Sequence, residues 1–400
     1  MNLNWALVKS LQLRAHEYES FIVALLVLCI YFSTTLAIVL TALLGLVWLL
    51  SAQFLELPKT LIRNPVATSS MLLFLWFIVG LSYTSANNNE ALSMVMKYRE
   101  LLFIPVFISF LTTEHYRNWV WKAFFVASLL TLFVSYLMYF GCLDLNNQGD
   151  ACFKNRISHS IFISFFAFYC VHKVSDNLGY KKLYLVLLAI CLHNLFFVVP
   201  GRTGQLVLIS LILLFAIQRL GNKQRLLTVV GLALCLTLYM NLSDKANRIS
   251  EGIANTQAYL LPVPEQTESS MGLRYTFWKN SFKLIAEKPL LGHGTGSFSK
   301  EYQRLVNDER LESNNPHNEF LLIAVQLGVV GLFIYIGFVV CQFYFANKLP
   351  SKEGWFAQGL LVSLIITSMF NSPLMDHNEG HWFATMIALC FASFQDRIRV

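Results

Sequence analysis

The stretch from Phe320 to Ala346, FLLIAVQLGVVGLFIYIGFVVCQFYFA, contains no charged residue. A helix that crosses a bilayer needs about 20 mostly apolar residues, so this run is long enough to span a membrane. Similar runs recur along all 400 residues, and 56% of the chain is hydrophobic while only 13% is charged, against about 25% charged residues in a soluble protein. The sequence therefore predicts an all-α polytopic membrane protein. It excludes a soluble enzyme, a secreted disulfide scaffold and a disordered chain.

Twelve apolar runs predict about twelve transmembrane helices. They cover residues 17–33, 35–55, 66–84, 91–111, 118–140, 157–174, 181–199, 204–219, 226–241, 318–346, 354–371 and 380–396. The first is interpreted as a retained span because no small-residue cleavage site follows a short apolar core. The only long connection divides the chain into spans one to nine (1–241), a loop (242–317) and spans ten to twelve (318–400).

The basic residues indicate the orientation of these spans. If the N-terminus is cytoplasmic, sixteen Lys and Arg side chains fall on cytoplasmic segments and three on short external loops. Lys and Arg concentrate on the cytoplasmic side of membrane proteins, and long loops are left out because they cross largely regardless of charge. We therefore expect both termini in the cytoplasm and the long loop outside. The net charge of +7 reflects this bias and does not indicate nucleic-acid binding.

Two of the eight cysteines, Cys142 and Cys152, flank an external loop with the sequence GCLDLNNQGDAC. The predicted topology places this loop in an oxidising compartment, where disulfides form and persist. A disulfide between the two is one interpretation, and two unpaired loop thiols are the other. The remaining six cysteines lie in predicted spans, where a free Cys acts as a small apolar residue.

The long connection contains a predicted amphipathic helix at residues 271–288. Its apolar positions recur at three- and four-residue spacing and are Leu273, Phe277, Trp278, Phe282 and Ile285. The other face carries the basic residues Arg274, Lys279 and Lys283. Such a helix can lie on the bilayer surface, or it can cover a site embedded in the membrane. Both interpretations remain open.

The predicted helix is followed by a glycine-rich stretch, Pro289 to Phe298, PLLGHGTGSF. Three glycines in five residues permit a tight turn and the close approach of a ligand to the backbone. The stretch is not a P-loop because no Gly-Lys-Ser/Thr follows, and Ser299 stands where the dinucleotide fingerprint has its third glycine. A turn is the preferred interpretation, and a ligand-binding loop is the alternative.

A histidine lies where the long connection meets span ten, in the sequence NNPHNE at 314–319. Asn315 suits an N-cap and Pro316 the first helical position, which would place His317 in the first helical turn. The positive end of the helix disfavours the imidazolium, so His317 should be largely neutral and available as a general base. The alternative is an interfacial histidine that only assists capping.

An arginine lies in the short external turn between spans seven and eight, Pro200 to Gly204, PGRTG. The positive-inside rule disfavours Arg202 here, and no acidic residue is near in sequence to pair with it. An outward-facing guanidinium without a partner suggests an anionic ligand, because its planar fork suits phosphate. The alternative is an arginine that reaches the lipid headgroups.

Two further cations, Lys97 and Arg99, lie in the outer half of predicted span four, beside Glu100. Charges at that depth are costly and usually face a cavity or one another. They could therefore hold a diphosphate or form a local ion pair with Glu100, and both interpretations stand. Arg156, just before span six, is a weaker candidate for anion binding.

The last external turn gathers several metal-ligating residue types. They are Asp376, His377, Glu379 and His381. Metal binding is conceivable, but a short turn rich in Asn and Asp is more often an exposed polar loop, and we predict no metal site.

In their order along the chain, these motifs resemble the O-antigen ligase (WaaL-type) family and its relatives, the O-antigen polymerases and protein O-oligosaccharyltransferases. The motifs are GRTG at 201–204, Arg274 and Trp278 in the external helix, PLLGHGTGSF at 289–298, PHN at 316–318 and LGVVGL at 327–332. No single motif is specific. The ordered set, over roughly residues 195–335, carries the resemblance together with the long loop between spans nine and ten.

The resemblance implies a glycosyltransferase of the integral-membrane (GT-C) kind. Such ligases transfer O-antigen polysaccharide from undecaprenyl diphosphate to the outer sugar of lipid A–core, at the periplasmic face of the bacterial inner membrane. They need no nucleotide sugar, metal or other cofactor, so the expected partners are the lipid-linked donor, lipid A–core and membrane lipids, without nucleic acid. The family's essential positions fall on Arg202, Arg274 and His317. On local sequence alone, the expected donor-binding residues also include Lys97, Arg99 and Arg156.

Two other functions remain open at this stage. A polymerase would use the same donor with a second lipid-linked glycan as acceptor, and a protein O-oligosaccharyltransferase would use a protein hydroxyl. A twelve-span transporter or flippase is the alternative from another class. The two halves of the chain show no repeat, and the polar residues gather outside rather than at the bilayer midplane where transporters bind substrate, so a transporter is disfavoured.

Overall fold

The computed structural model describes residues 5–145, 153–176, 179–243, 270–306 and 312–394, and the single positions 252, 254, 256 and 257. Within these ranges the chain is helical and contains no strand, which confirms the predicted all-α class. The helices are α1 (Trp5–Phe32), α2 (Thr34–Leu50), α3 (Leu57–Arg63), α4 (Pro65–Val79), α5 (Asn88–Tyr98), α6 (Glu100–Phe110), α7 (Glu114–Tyr139), α8 (Arg156–Ser175), α9 (Lys181–His193), α10 (Arg202–Arg219), α11 (Asn222–Leu242), α12 (Ser270–Glu287), α13 (Phe298–Leu305), α14 (Glu319–Ala346), α15 (Ser351–Phe370) and α16 (His377–Phe391).

Eight of the twelve predicted spans coincide with helical segments that are long and apolar enough to cross a membrane. In the described ranges these segments are Pro65–Tyr83, Glu114–Tyr139, Arg156–Ser175, Lys181–Val198, Arg202–Arg219, Asn222–Leu242, Glu319–Ala346 and Ser351–Phe370. The chain is therefore a multi-pass membrane protein, as the composition predicts.

The other four predicted spans are shorter or broken. The first keeps a short apolar helix, Tyr18–Phe32, and the last is the fifteen-residue α16. The second bends by 80° between Thr34–Leu50 and Gln53–Arg63. The fourth is divided into α5 and α6 at Arg99, whose Nη1 donates to the Met96 carbonyl at 2.8 Å and satisfies an end of α5. Hydropathy alone predicts the second and the fourth as single spans, because it does not detect a break in the helix.

Helix α8 lies at the centre of the packed core. Every residue from Ser158 to Cys170 is buried, so the helix is enclosed around its whole circumference, and it packs against α9 and α10. Its Phe162 stacks on Trp382 of α16 with ring centroids 4.8 Å apart, and Phe165 meets the edge of the same indole. These large buried rings fix the N-terminal half of α8 relative to α16.

The helix predicted at 271–288 is present as α12. It packs on α14 and α13 through a small apolar cluster that includes Phe277, Leu284 and Tyr302. Phe282, one of the predicted apolar positions, is 62% exposed and does not join this cluster. The buried face follows Phe277, Ser281 and Leu284 instead, because these three turn toward α14. The contact with α14 supports the interpretation of α12 as a cover over one end of the bundle.

We expect a reporter fused after Val400 to show activity on the cytoplasmic side and reporters within 242–317 to show activity outside. The reason is the sixteen-to-three bias of basic residues between the two sides. Alkaline phosphatase and green fluorescent protein fusions measure this directly. A periplasmic signal at Val400 would overturn the orientation.

The predicted disulfide is not settled by the fold. Cys142 lies exposed after the end of α7, whereas Cys152 lies outside the described residues. The pairing of the two cysteines therefore stays a prediction.

Candidate active site

Two glycines place Arg202 at the N-terminal end of α10. A Cβ at Gly201, the N-cap of α10, would lie 2.7 Å from Ser160 Oγ and 3.2 Å from the Arg156 carbonyl, both in the first turns of α8. A Cβ at Gly204 would overlap Ser160. Any larger side chain would therefore push α10 away from α8. The GRTG motif is thus a close helix contact, and Arg202 extends from it as the first residue of α10.

Arg202 and Arg274 line the same cavity, which has a volume of about 490 Å³. The other described residues in its wall are Thr203, Gln205, Leu206, Ile209, Gly252, Thr256, Gln257, Met271 and Phe370. None of these residues is acidic. Arg202 Nη1 is buried and makes no hydrogen bond to any part of the chain that the structure describes. The cavity therefore offers two guanidinium groups to an anion.

The two arginines also repel each other. Burial lowers the pKa of Arg274, and the positive charge of Arg202 lowers it further. Arg274 Nη1 lies 3.7 Å from the sulfur of Met271, which is a weak acceptor. Like charges held together in a partly dry cavity are costly unless a counter-charge is present. An anionic ligand that bridged both guanidinium groups would remove this cost.

His317 lies just before α14 and not within its first turn, so the prediction of Asn315 as the N-cap is wrong. The N-cap is Asn318, whose Oδ1 accepts from the Leu321 N–H at 3.0 Å. His317 has a φ of 51°, in the left-handed region that non-glycine residues rarely adopt. Its N–H donates to Asn315 Oδ1 at 2.8 Å, and this bond stabilises the reversed backbone. Asn315 is thus the residue that holds the turn.

The surroundings of His317 favour its neutral form. Burial lowers the pKa of the imidazole, and the nearby charge of Arg274 lowers it further. Its ring faces Phe277 of α12 at 6.2 Å between centroids. The neutral form of His317 is therefore favoured by burial and by the charge of Arg274, and not by the positive end of a helix as the sequence suggested. At neutral pH one ring nitrogen is available to accept a proton.

Helix α12 joins the histidine to the cavity. Arg274 faces the cavity, and one turn later Trp278 Nε1 donates to the Pro316 carbonyl at 3.0 Å. On the opposite side, Phe370 lines the cavity and the next residue, Asn371, places its Oδ1 3.4 Å from His317 Nδ1. His317 is therefore adjacent to the cavity that contains both arginines, although it does not line that cavity itself.

The remaining predicted anion-binding residues are not brought into this cavity. Lys97, Arg99 and Arg156 are absent from the described residues that line it. Glu100 does not pair locally with the two basic residues beside it. It is buried, and its Oε1 lies 2.7 Å from His381 Nδ1 and 3.3 Å from His377 Nδ1.

The glycine-rich stretch fills a break in α14. At Gly328 the helix is interrupted, with φ 66° and ψ −167°. Since a helix rises 1.5 Å per residue, the break lies about 13 Å from the start of α14. The N–H groups of His293 and Gly294 donate to the carbonyls of Val325 and Gln326 at 3.0 and 2.7 Å, just before the break. Irregular backbone at membrane depth is tolerated where protein covers it. The turn interpretation is therefore confirmed, and its role is structural.

The turn between α15 and α16, together with the start of α16, is part of a buried polar network. Within the described ranges, no group of three His, Cys, Asp or Glu side chains is arranged to hold a metal. Glu379 and His381 are buried, so the interpretation of the turn as an exposed loop is wrong for these two residues. Asn371, a partner of His317, was not predicted from the sequence. Its position directly after an apolar span, in a polar NSP turn, was the available signal.

The fold and site together define a multi-pass membrane protein with a paired-arginine cavity beside a neutral histidine. Residues 183–336, from α9 into α14, match a family model described as O-antigen ligase (Wzy_C). This segment is therefore an O-antigen ligase family domain, and it contains Arg202, Arg274 and His317. The resemblance found in the sequence is confirmed.

Two relatives are distant and match over most of their length. The chain is 23% identical over 314 residues to an uncharacterized protein of Haemophilus influenzae, covering 73% of this chain and 77% of the relative. It is 21% identical over 345 residues to an O-antigen ligase of Pseudomonas aeruginosa, covering 84% and 78%. A chain in a solved structure of a peptidoglycan synthase complex aligns at a TM-score of 0.49 and 15% identity, covering 84% of this chain and 97% of that one.

Proposed function

We propose that this protein is an O-antigen ligase that transfers O-antigen polysaccharide from undecaprenyl diphosphate to lipid A–core at the periplasmic face of the bacterial inner membrane. The observation that carries the proposal is the cavity in which Arg202 and Arg274 face each other without an acidic residue among its described walls. A diphosphate is the ligand that such a pair fits best, since each guanidinium can bind phosphate oxygens through two parallel hydrogen bonds. The family domain and the Pseudomonas relative support this proposal.

The proposed reaction is a single displacement at the anomeric carbon. A hydroxyl oxygen of the acceptor sugar attacks C1 of the donor glycan, the bond from C1 to the diphosphate oxygen breaks, and the configuration inverts. His317 accepts the proton of the attacking hydroxyl. The electron pair of the broken bond leaves with undecaprenyl diphosphate, whose increasing negative charge is stabilised by Arg202 and Arg274. Positioned cations of this kind act most strongly where water is largely excluded.

The lipopolysaccharide pattern of a deletion strain tests the proposal against its relatives. A ligase is required for every long chain on lipid A–core, so its loss should leave core without O-antigen while long lipid-linked chains accumulate. Core that retains a single repeat would indicate a polymerase instead. Normal lipopolysaccharide together with an unglycosylated protein acceptor would indicate a protein O-oligosaccharyltransferase.

Ligation by the purified protein should persist in EDTA. The two guanidinium groups supply the positive charge that a divalent cation provides in many other diphosphate-dependent enzymes. The measurement compares transfer rates in reconstituted membranes with and without the chelator. Complete inhibition that magnesium or manganese reverses would contradict this and indicate a metal site at Asp376, His377 and Glu379.

A further inference from the structure

A chain of hydrogen bonds leads from His317 to a buried carboxyl group on another helix. Asn371, the C-cap of α15, lies between the two. Its Oδ1 is 3.4 Å from His317 Nδ1, and its Nδ2 donates to Glu379 Oε2 at 3.2 Å. Glu379 lies in the first turn of α16 and is 0% exposed. Its other oxygen accepts from Ser158 Oγ of α8 at 2.9 Å.

This order of donors and acceptors fixes the tautomer of the histidine. Glu379 Oε2 accepts when the carboxyl is ionised, and also when it is protonated on Oε1 toward the Ser158 hydroxyl. In both of these forms the group of Asn371 that faces Glu379 is the amide NH₂, and the amide oxygen faces His317, as the structure has them. A proton on Oε2 would reverse both groups, so the assignment requires Oε2 to be unprotonated. A carbonyl oxygen only accepts, so Nδ1 of His317 carries the proton and Nε2 is the free acceptor. The hydrogen bond at one ring nitrogen thereby determines which nitrogen acts as the base.

The network also connects the histidine to the start of α10, which carries Arg202. Ser158, which contacts Glu379, is two residues before Ser160, which packs against Gly201 and Gly204 at the start of α10. Asn315, which holds the His317 backbone, accepts a second bond from Ser372 Oγ at 2.8 Å, in the same turn as Asn371. The histidine is thus fixed through its backbone and its ring by the segment between α15 and α16.

We propose that Asn371 and Glu379 are positioning residues that hold His317 as the Nδ1-protonated tautomer, with Nε2 free to accept the proton of the acceptor hydroxyl. The role in proton acceptance rests on the function proposed above, whereas the tautomer does not. Neither residue touches substrate in this scheme. Each acts only through His317.

The tautomer can be measured in the protein without any substrate. Protein labelled with ¹⁵N-histidine and reconstituted in lipid bilayers gives imidazole nitrogen shifts by solid-state NMR, and His317→Gln identifies the signals of His317. Wild type should show a protonated Nδ1 and an unprotonated Nε2. Glu379→Leu should move these signals toward the Nε2-protonated form, because Asn371 is then free to rotate. Glu379→Gln should preserve the wild-type shifts, because its amide oxygen can still accept from Asn371.

Matched variants separate positioning from folding. Glu100→Leu removes another buried carboxyl that contacts α16, but its partners are His377 and His381, so the His317 signals should not change. Asn371→Ala gives a second route to the same tautomer shift if Glu379→Leu does not fold. A wild-type His317 with Nε2 protonated would overturn the proposal. Unchanged His317 signals in both Glu379→Leu and Asn371→Ala would also overturn it.

Kinetics connect the tautomer to function. Glu379→Leu should lower turnover by about 10–100-fold, as for other groups that orient a histidine through its second nitrogen, while donor affinity stays near wild type. Glu379→Gln should restore most of the lost turnover. If the tautomer shifts as expected and ligation is unchanged, His317 is not the base. The proposed function then fails at that residue while the positioning role is retained.

Discussion

Replacing His317 with alanine is expected to lower turnover by about 10²–10⁴-fold, the usual contribution of a general base. Donor affinity should change little, because the cavity wall contains Arg202 and Arg274 but not His317. The measurement pairs ligation rates with binding of an undecaprenyl diphosphate-linked glycan to the same purified variant. A reduced rate with intact binding places His317 at the chemical step.

A control histidine keeps this result specific. His115 is exposed in the first turn of α7, on the predicted cytoplasmic side, and His115→Ala should leave both rate and binding unchanged. If His317→Ala abolishes donor binding while Arg274→Ala leaves it intact, the assigned roles are reversed. The base must then be sought elsewhere.

Replacing either cavity arginine with alanine should weaken donor binding as well as turnover. A partly buried phosphate would lose a charge-assisted hydrogen bond, which contributes about 1.5–3 kcal/mol and corresponds to roughly 10–150-fold in affinity. Arg202→Lys keeps the charge but loses the planar fork, so we expect it to remain impaired. Titration of each variant with the lipid-linked glycan measures the effect.

Two comparisons make the arginine experiment decisive. Arg99 does not line the cavity, so Arg99→Ala should affect donor binding less than Arg202→Ala. Arg274 lowers the pKa of His317, so Arg274→Ala should raise it. The base is active only when neutral, and the loss of rate on acidification should therefore begin at a higher pH in Arg274→Ala than in wild type. If Arg99→Ala loses donor binding as severely as Arg202→Ala, the sequence-based prediction that Arg99 binds the donor diphosphate is supported instead.

The sequence was sufficient for the features that depend on composition and local spacing. Long uncharged runs predicted the helices, and an arginine without an acidic neighbour in a short turn singled out Arg202, which lines the cavity. Arg274 was predicted as a site residue because it matches an essential position of the family and lies on the basic face of a predicted amphipathic helix. The shared cavity could not be predicted from the sequence, because fifty residues separate α10 from α12 and the two arginines come together only in the folded chain.

Other features could not be predicted because long-range contacts override local signals. Asn315-Pro316 has the local pattern of a helix start, yet Asn315 instead caps the reversed backbone of His317 and bonds Ser372. Glu100 has two basic neighbours in sequence but contacts two histidines of α16, far along the chain. The glycine-rich stretch is explained only by the break at Gly328, where its N–H groups meet helix carbonyls. In each case a polar group bonds a partner from a distant part of the chain.

Reconstituted transfer tests the central claim most directly. Purified protein in lipid bilayers is supplied with undecaprenyl diphosphate-linked O-antigen and lipid A–core, and mass spectrometry follows both products. The account predicts polysaccharide attached to lipid A–core with one undecaprenyl diphosphate released per transfer, and neither product with an Arg202→Ala, Arg274→Ala double variant. Wild-type protein that lengthens the donor on a second lipid-linked glycan, and leaves lipid A–core unmodified, would contradict it.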